Sequence, residues 1–197
     1  MVRQMIRKIL FKIYNSINTF RVNNHRGIVS GDDLKVRGKP IINIKDGGKL
    51  LIGKNVTLNS SNANYHVNML APVKLFIDRT GASIEIGANT RIHGSCIHAQ
   101  ESIWIGKNCL IASNCQVFDS NGHELSFGDV SNRINTISTP KKIIINDNVW
   151  IGINSIILPG AIIGEGCVIA AGSVVKGEIP PFTLAGGNPI KIIKRFD

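Results

Sequence analysis

Branched apolar residues recur at every sixth position in the C-terminal part of the chain. Four positions after each of them comes a second series, made mostly of small side chains. A period of six fits neither an α-helix nor an ordinary β-strand, so it indicates a repeat in which each hexapeptide forms one flat face of a prism. We expect the branched residues to fill the interior and the small ones to give the chain room to turn. The first series is Ile145, Ile151, Ile157, Ile163, Ile169 and Val175, and the second is Val149, Ser155, Ala161, Cys167, Ser173 and Ile179.

The same period extends towards the N-terminus with two interruptions. It begins weakly around Ile44 and continues through Ile105, Ile111 and Val117. Residues 59–72 and 119–142 leave the period, and we predict that both are loops. A solenoid tolerates such insertions only at its corners, and long ordered loops are usually functional. The pattern therefore predicts an all-β fold, with a parallel β-helix solenoid over residues 49–180 that carries both loops.

The first twenty residues follow a different pattern. Apolar residues such as Ile6, Ile13 and Phe20 keep helical spacing while basic residues fill the remaining faces, which predicts a basic amphipathic helix over 1–20. Its apolar side either packs on the β domain or a neighbouring subunit, or lies on an anionic membrane. We expect residues 21–48 to form a transition segment and residues 181–197, rich in Pro and Gly, to leave the coil as an extended tail.

Composition limits the partners and the location. The 197 residues carry a net charge of +10, so anionic ligands or an acidic membrane face are expected. Basic residues do not alternate with an aromatic platform, which argues against nucleic acid. The four cysteines lack a CxxC pair, and we interpret them as small inward fillers rather than a disulfide or zinc set. Lys8 and Lys12 flank the apolar run between them, so we expect no secretory signal and a cytoplasmic location, with peripheral contact on the inner face of the membrane.

Four C-terminal motifs resemble those of one enzyme family, the hexapeptide-repeat acyltransferases, and within it the sugar O-acetyltransferase branch of maltose, galactoside and surface-polysaccharide enzymes. The motifs are Asn148–Val149–Trp150–Ile151–Gly152, Leu158–Pro159–Gly160, Ala170–Ala171–Gly172–Ser173–Val174–Val175 and Ala185–Gly186–Gly187–Asn188–Pro189. The resemblance implies a left-handed β-helix and a homotrimer with active sites in the subunit clefts. It also implies that acetyl-CoA lies in a groove beside the coils, with the tail 181–197 over it.

Acetyl transfer from a thioester to a hydroxyl needs a base with a pKa near neutrality, and a histidine suffices. His123 follows Gly122 at the mouth of the second loop, where it should face a cleft, and it resembles the family's general base. An acid should hold its tautomer, and Asp119 and Glu124 are both near in sequence. An alternative interpretation is a zinc site, because the spacing of His93 and His98 resembles that of zinc ligands in γ-class carbonic anhydrases. His66 would be the third ligand, but we expect no metal.

The resemblance also implies the residues that bind the donor. The small ones would let pantetheine approach the backbone, Trp150 would flank the acetyl end, and the basic ones are candidates for the CoA phosphates. These residues are Trp150, Gly152, Ala170, Ala171, Ser173, Lys176, Gly186, Lys191, Lys194 and Arg195.

The sequence thus predicts an acetyl-CoA-dependent O-acetyltransferase that acts on a sugar hydroxyl in cell-envelope polysaccharide biosynthesis. N-acetylation of an amino sugar or a nucleotide-linked sugar is the main alternative. A γ-carbonic-anhydrase-like zinc protein and a non-catalytic scaffold are further alternatives.

Overall fold

The computed structural model describes residues 2–196. An N-terminal helix, α1 (Val2–Asn23), is followed by short strands that wind around a common core and build three sheets. The chain visits sheets A, B and C in turn, so that three successive strands complete one coil.

Each sheet collects every third strand, up to the last coil. Sheet A contains β1 (Ile28–Ser30), β4 (Lys49–Ile52), β7 (Ser83–Ile86), β10 (Ser102–Ile105), β13 (Ile143–Ile145), β16 (Ile162–Ile163) and β19 (Glu178–Ile179). Sheet B contains β2 (Lys35–Arg37), β5 (Thr57–Asn59), β8 (Arg91–His93), β11 (Leu110–Ile111), β14 (Trp150–Ile151), β17 (Val168–Ile169), β20 (Thr183–Gly186) and β21 (Lys191–Arg195). Sheet C contains β3 (Ile41–Ile44), β6 (Lys74–Ile77), β9 (Cys96–Ala99), β12 (Gln116–Phe118), β15 (Ile156–Ile157) and β18 (Val174–Val175).

Neighbouring strands run parallel from β1 to β20, in a register that stacks like positions. Ile105 of β10, for example, pairs with Ile86 on one side and Ile145 on the other. Both six-residue series are buried as predicted, at 0–4% exposure. Three of the cysteines, Cys109, Cys115 and Cys167, are buried in the core, whereas Cys96 is only half-buried. The interior is therefore a stack of branched and small side chains.

The segment 21–48, predicted to be a transition, contains the first coil. Strands β1, β2 and β3 pair in parallel with β4, β5 and β6. The period of six does run through it, at Ser30, Val36 and Ile42, which lie in register with Ile52, Leu58 and Leu75. The predicted start of the β-helix at residue 49 is therefore wrong. The first coil was missed because Ser30 occupies the first of these positions and interrupts the apolar series.

The C-terminal tail is likewise part of the β structure. Strand β20 continues sheet B, with Leu184 beside Val168 and Ala185 beside Ile169. Strand β21 then folds back antiparallel on β20. Its backbone thereby covers the last edge of sheet B, an edge that would otherwise offer unpaired N–H and C=O groups.

Helix α1 covers the opposite end of the stack with its polar side. Asn15 Oδ1 accepts a hydrogen bond from Gly38 N at 2.9 Å, and Thr19 Oγ1 accepts one from Val36 N at 3.2 Å. The edge strand β2 thus finds acceptors for N–H groups that lack a strand partner on that side. The interpretation that the apolar side packs on the β domain is wrong for this chain, because Ile6, Leu10 and Phe20 remain exposed.

The two longest connections of the coil lie where the repeat is interrupted. Residues 60–73 link β5 to β6, and residues 119–142 link β12 to β13 and contain a 3₁₀ turn, Arg133–Asn135. We call the second connection the long loop (119–142). Within residues 2–196, no helix has the length and apolar character that a membrane crossing requires.

A ladder of asparagine side chains marks the corner between sheets A and B. Asn55, Asn89, Asn108 and Asn148 each occupy this corner in successive coils, all in the left-handed backbone region with φ of 56–62°. The Nδ2 of each of the first three donates to the Oδ1 of the next asparagine, at 3.0, 3.0 and 3.1 Å, and Asn148 Nδ2 donates to Glu165 Oε1 at 3.1 Å. Asparagine suits both needs, because it tolerates this conformation and can donate and accept along the stack.

We predict that Asn108→Ala lowers the free energy of unfolding by about 2–3 kcal/mol. The substitution removes two ladder hydrogen bonds. It also places alanine in the left-handed backbone region, where its Cβ is strained and no side-chain hydrogen bond compensates. Asn108→Gly is the matched variant: it loses the same amide but keeps the backbone free, so about 1 kcal/mol is expected. Chemical denaturation measures both, and equal losses for the two variants would contradict the backbone part of the argument.

Candidate functional site

An apolar groove runs along the outer face of sheet B. It has a volume of about 570 Å³. The strand register sets the outward residues Arg91, Leu110, Trp150 and Val168 side by side, one per coil. Trp150 is 51% exposed and stands at the middle of this row. A row of large side chains thus forms one wall of the groove.

A parallel row of small residues forms its floor. Ala112, Gly152 and Ala170 follow one another in successive coils and all line the groove. A Cβ on Gly152 would lie 2.6 Å from the backbone nitrogen of Ala171, so only glycine fits there. The floor is therefore backbone and methyl groups, along which a slender ligand can lie close to the main chain.

The connection 60–73 closes one end of the groove. Asn114, two coils further along the stack, fixes it by accepting from Leu70 N at 2.9 Å and donating to Asn68 O at 3.2 Å. The connection places the ring of Tyr65 on that of His93, with 4.5 Å between ring centroids, and the tilted ring of His66 lies 4.6 Å from that of Tyr65. Burial raises the pKa of Tyr65 above its usual value.

His93 is a neutral donor at this end of the groove. Burial, followed by the charges of Arg91 and Arg37, lowers its pKa to about 4. Asn59 Oδ1 accepts from Ser61 N at 3.2 Å, which turns its Nδ2 towards His93 Nδ1 at 3.2 Å. Because an amide nitrogen only donates, Nδ1 of His93 must accept, and the ring proton resides on Nε2.

His123 lies in the long loop, exposed, and it is not among the residues that line the groove of the same chain. Its Nδ1 lies 3.0 Å from the carbonyl oxygen of Thr136. A carbonyl only accepts, so Nδ1 carries the proton and Nε2 is left with a free lone pair. The ring is thus oriented for use as a base through Nε2.

Neither acid predicted to orient His123 does so. Asp119 is fully buried, and its two carboxylate oxygens accept from Gln100 N and Glu101 N, each at 2.8 Å. Burial raises the pKa of Asp119 although these hydrogen bonds oppose the shift. Glu124 accepts from Thr139 N at 2.8 Å. Asp119 thus holds the turn between β9 and β10, and Glu124 holds the backbone of the long loop at Thr139. The carbonyl of Thr136 takes the orienting role.

The predicted donor-binding residues fall into three groups. Trp150, Gly152, Ala170 and Ala171 come together in the groove. Ser173 does not, because it is buried with its hydroxyl donating to Ala170 O at 2.6 Å and accepting from Gly187 N at 3.1 Å. The others lie outside the groove lining: Gly186 ends β20, Lys191, Lys194 and Arg195 lie on β21, and Lys176 follows β18.

The alternative of a zinc site gains no support from the positions of the histidines. His93 is on sheet B, whereas His98 is on sheet C, where it stacks on Phe76 with 4.7 Å between centroids. His98 Nε2 lies 2.9 Å from Asp78 Oδ2. Within the part of the chain that the structure describes, no three His, Cys, Asp or Glu side chains form a group that could hold a metal ion.

No sequence motif pointed to Tyr65, to Arg91 or to the carbonyl of Thr136. Tyr65 comes from a segment without any period, and a main-chain carbonyl leaves no trace in a sequence. Arg91 could have been found, because it precedes the inward Ile92 and therefore faces outward on a strand.

We predict that His93 makes the folded protein less stable in mild acid. Because its folded pKa of about 4 is below the usual 6.5, the unfolded chain takes up a proton first. Stability that is present above pH 6.5 is therefore lost as the pH falls towards 4. His93→Asn should flatten this part of the stability curve, measured by thermal unfolding at pH 7 and pH 4.5. The exposed His25→Asn is the control, and parallel curves for wild type and His93→Asn would contradict the assignment.

Comparison with known proteins finds one matching family and several similar acetyltransferases. The family described as bacterial transferase hexapeptide (six repeats) matches residues 142–177. A protein of Escherichia coli (strain K12), provisionally named lipopolysaccharide biosynthesis O-acetyl transferase WbbJ, is 33% identical over 150 residues. The match covers 71% of this chain and 74% of WbbJ.

Solved structures agree with the fold. The hexapeptide-repeat acetyltransferase VCA0836 of Vibrio cholerae O1 biovar eltor, complexed with acetyl-CoA, is 33% identical with a TM-score of 0.53, over 62% of this chain and 65% of that protein. A galactoside acetyltransferase in complex with coenzyme A is 32% identical with a TM-score of 0.54, over 62% and 60% of the two chains. The N-acyltransferase AntD of Bacillus cereus reaches a TM-score of 0.61 over 87% and 86% of the chains, but at 23% identity it shares the fold alone.

The similarity to WbbJ extends over most of both chains, and the hexapeptide match lies in the coils that form the groove. The fold is the left-handed parallel β-helix of the hexapeptide-repeat acetyltransferases. The chain belongs to the hexapeptide-repeat transferase family.

Proposed function

We propose that the protein is an acetyl-CoA-dependent O-acetyltransferase that acts as a homotrimer on a hydroxyl group of a cell-envelope saccharide. The observation that carries the proposal is the sheet B groove, which pairs a wall of apolar side chains around Trp150 with a floor of small residues. The names of WbbJ and of the galactoside enzyme point to oxygen as the acetylated atom.

The groove suits the donor substrate. A pantetheine arm is slender and carries amides, so it fits a floor of Gly152 and Ala170 where the backbone is accessible. Strand β21 adds the exposed cations Lys191, Lys194 and Arg195 next to β20, beyond the C-terminal end of the groove. Cations at that end would bind the phosphates of CoA and leave the acetyl group near Trp150.

The chain supplies the base for the transfer through His123. Its Nε2 takes the proton of the acceptor hydroxyl while the hydroxyl oxygen bonds to the acetyl carbon. The carbon–sulfur bond breaks, and the imidazolium returns the proton to the thiolate. Thr136 O stabilises the imidazolium through the Nδ1–H throughout, in the way that a carboxylate does in other histidine bases.

Assembly brings His123 to a groove. The long loop exposes five apolar side chains, of which Phe127 is 80% exposed, and buried apolar surface is what stabilises subunit contacts. These side chains are Leu125, Phe127, Val130, Ile134 and Ile137. We place the long loop of one subunit over the sheet B groove of the next, so that each of three sites combines His123 of one chain with Trp150 of another.

Helix α1 supplies the contact with the membrane. At about 3.6 residues per turn, its apolar stripe of Ile6, Ile9, Ile13, Ile17 and Phe20 lies opposite the residues that dock on the coil. Basic residues, Arg3, Lys12 and Arg21, flank the stripe. An apolar stripe with basic margins suits the surface of an anionic bilayer, where the acceptor of an envelope saccharide pathway would be anchored.

We predict that His123→Ala lowers kcat about 10²–10⁴-fold, because proton transfer by a positioned base contributes that much. Ala170→Trp should also abolish transfer by filling the groove. When the two variants are assembled together, about a quarter of the sites combine an intact loop with an intact groove, so about a quarter of wild-type activity should return. CoA thiol release measures all three preparations.

Two outcomes would contradict these statements separately. Full activity of His123→Ala would remove His123 as the proposed base. Inactive mixed assemblies would mean that loop and groove come from one chain. Circular dichroism of each variant serves as the folding control.

We predict that Ile9→Glu/Ile13→Glu weakens binding to vesicles that contain phosphatidylglycerol by at least about tenfold, because two side chains lose their burial in the bilayer and gain charge. Val29→Glu/Ile41→Glu makes the same change at exposed positions of the coil and should bind normally. Vesicle cosedimentation measures both. Unchanged binding of the helix variant would refute the contact, and a helix variant that falls apart into monomers would assign the stripe to a subunit contact instead.

A further inference from the structure

Sheet B carries more basic residues than either of the other two sheets. Its strands carry six basic residues and no Asp or Glu: Lys35, Arg37, Arg91, Lys191, Lys194 and Arg195. Three of these lie on β2 and β8 at the N-terminal end, and three lie on β21 at the C-terminal end. Between the two groups stand Leu110, Trp150 and Val168. Sheet B thus has an apolar middle and basic residues on the strands towards each end, and of these residues Arg91 lines the groove itself.

The N-terminal cations are available for a ligand. Arg37 and Arg91 are exposed, and of the acidic side chains in residues 2–196 none lies within salt-bridge distance of either. Lys35 is different, because its Nζ donates to Asn55 Oδ1 at 2.7 Å. The positive charge of the two arginines also reaches His93 and contributes to its lowered pKa.

The strand register places these arginines around a set of hydrogen-bonding groups. Arg37, Asn59 and His93 are neighbours across β2, β5 and β8, and Arg91 lies two positions before His93 on the same strand. At about 4.8 Å between strands, Arg37 is about 10 Å from His93, and Arg91 is about 10 Å from Trp150. Imidazole and aromatic groups of this kind, here His93 and Tyr65, bind sugar hydroxyls and ring faces. Asn59 is buried, and its Nδ2 lies 3.2 Å from His93 Nδ1, so it orients the imidazole.

One donor cannot use both cationic ends. In the proposed function, β21 binds the phosphates of acetyl-CoA. The acetyl group of the donor then reaches the apolar middle of the groove and extends no further. The reacting hydroxyl must meet it at the middle, so the acceptor must extend towards β8, β5 and β2. The cations at that end then face the acceptor and not the donor.

We propose that the N-terminal end of sheet B is the acceptor subsite and that it takes an anionic saccharide, whose phosphate or carboxylate binds Arg37 and Arg91. Guanidinium groups bind either anion through paired hydrogen bonds. The inference rests on the proposed function for the direction of the donor. Its own content is the charge of the acceptor and the residues that bind it.

Equilibrium binding to the full-length protein saturated with CoA tests this. The probes are glucose 1-phosphate, glucuronate and methyl glucoside, which offer a phosphate, a carboxylate and no charge. At least one anion should bind at least about tenfold more tightly than methyl glucoside, and which one binds identifies the anionic group. Arg37→Gln and Arg91→Gln should each weaken that binding about tenfold, while the Kd of CoA changes less than about twofold. Lys39→Gln, an exposed basic residue just past β2, is the matched control and should change neither.

Equal binding of all three probes, or binding of neither anion, overturns the acceptor subsite. So does a loss of CoA affinity in Arg37→Gln or Arg91→Gln, because it would assign these cations to the donor phosphates. The proposed function fails in a different way, by absence of CoA binding to the wild-type protein. The two failures are therefore distinguishable in one set of titrations.

Discussion

Parallel backbone pairing between successive coils is the constraint on which the rest of the structure depends. Each strand from β1 to β20 hydrogen-bonds to the strand above or below it, at about 4.8 Å, so every position of one coil is repeated by its neighbours. Inward positions must share one narrow interior, which Ile and Val fill and which Ser, Ala or Cys complete near the turns. The corner of the asparagine ladder needs a left-handed residue in each coil. Only outward positions and inserted loops remain free to carry function.

The same constraint creates a problem at the two ends of the stack, and the chain termini solve it differently. At one end β21 folds back on β20 and pairs with it. At the other end the side chains of Asn15 and Thr19 accept from the free N–H groups of the first coil. Because this task needs polar side chains, it turns the polar side of α1 inward and leaves the apolar stripe outside. The exposed stripe is therefore a consequence of how the fold is capped.

The period of six allowed the coil and its core to be predicted, because interior packing imposes it on the sequence. It failed at the first coil, where Ser30 occupies the position that Ile52 and Ile86 hold in later coils. The groove was predictable where outward residues belong to motifs, as Trp150 and Gly152 do. The partner of His123 was not, since Thr136 contributes a main-chain oxygen that any residue could supply. The predicted contact of Asp119 with His123 rested only on their nearness in sequence. The carboxylate of Asp119 is buried and accepts hydrogen bonds from the backbone of Gln100 and Glu101 instead.

A groove built from stacked strands cannot easily enclose its own ligand. Its walls are columns on one flat face, and side chains on such a face point away from the sheet and not towards each other. A second surface must cover the ligand to exclude water and to bring in a base. The long loop of the same chain leaves at the corner between sheets C and A, and none of its residues lines the sheet B groove. A neighbouring subunit can present that loop to the open face without any change in the coil. The regularity that makes the β-helix stable is thus also the reason why its chemistry belongs at a subunit cleft.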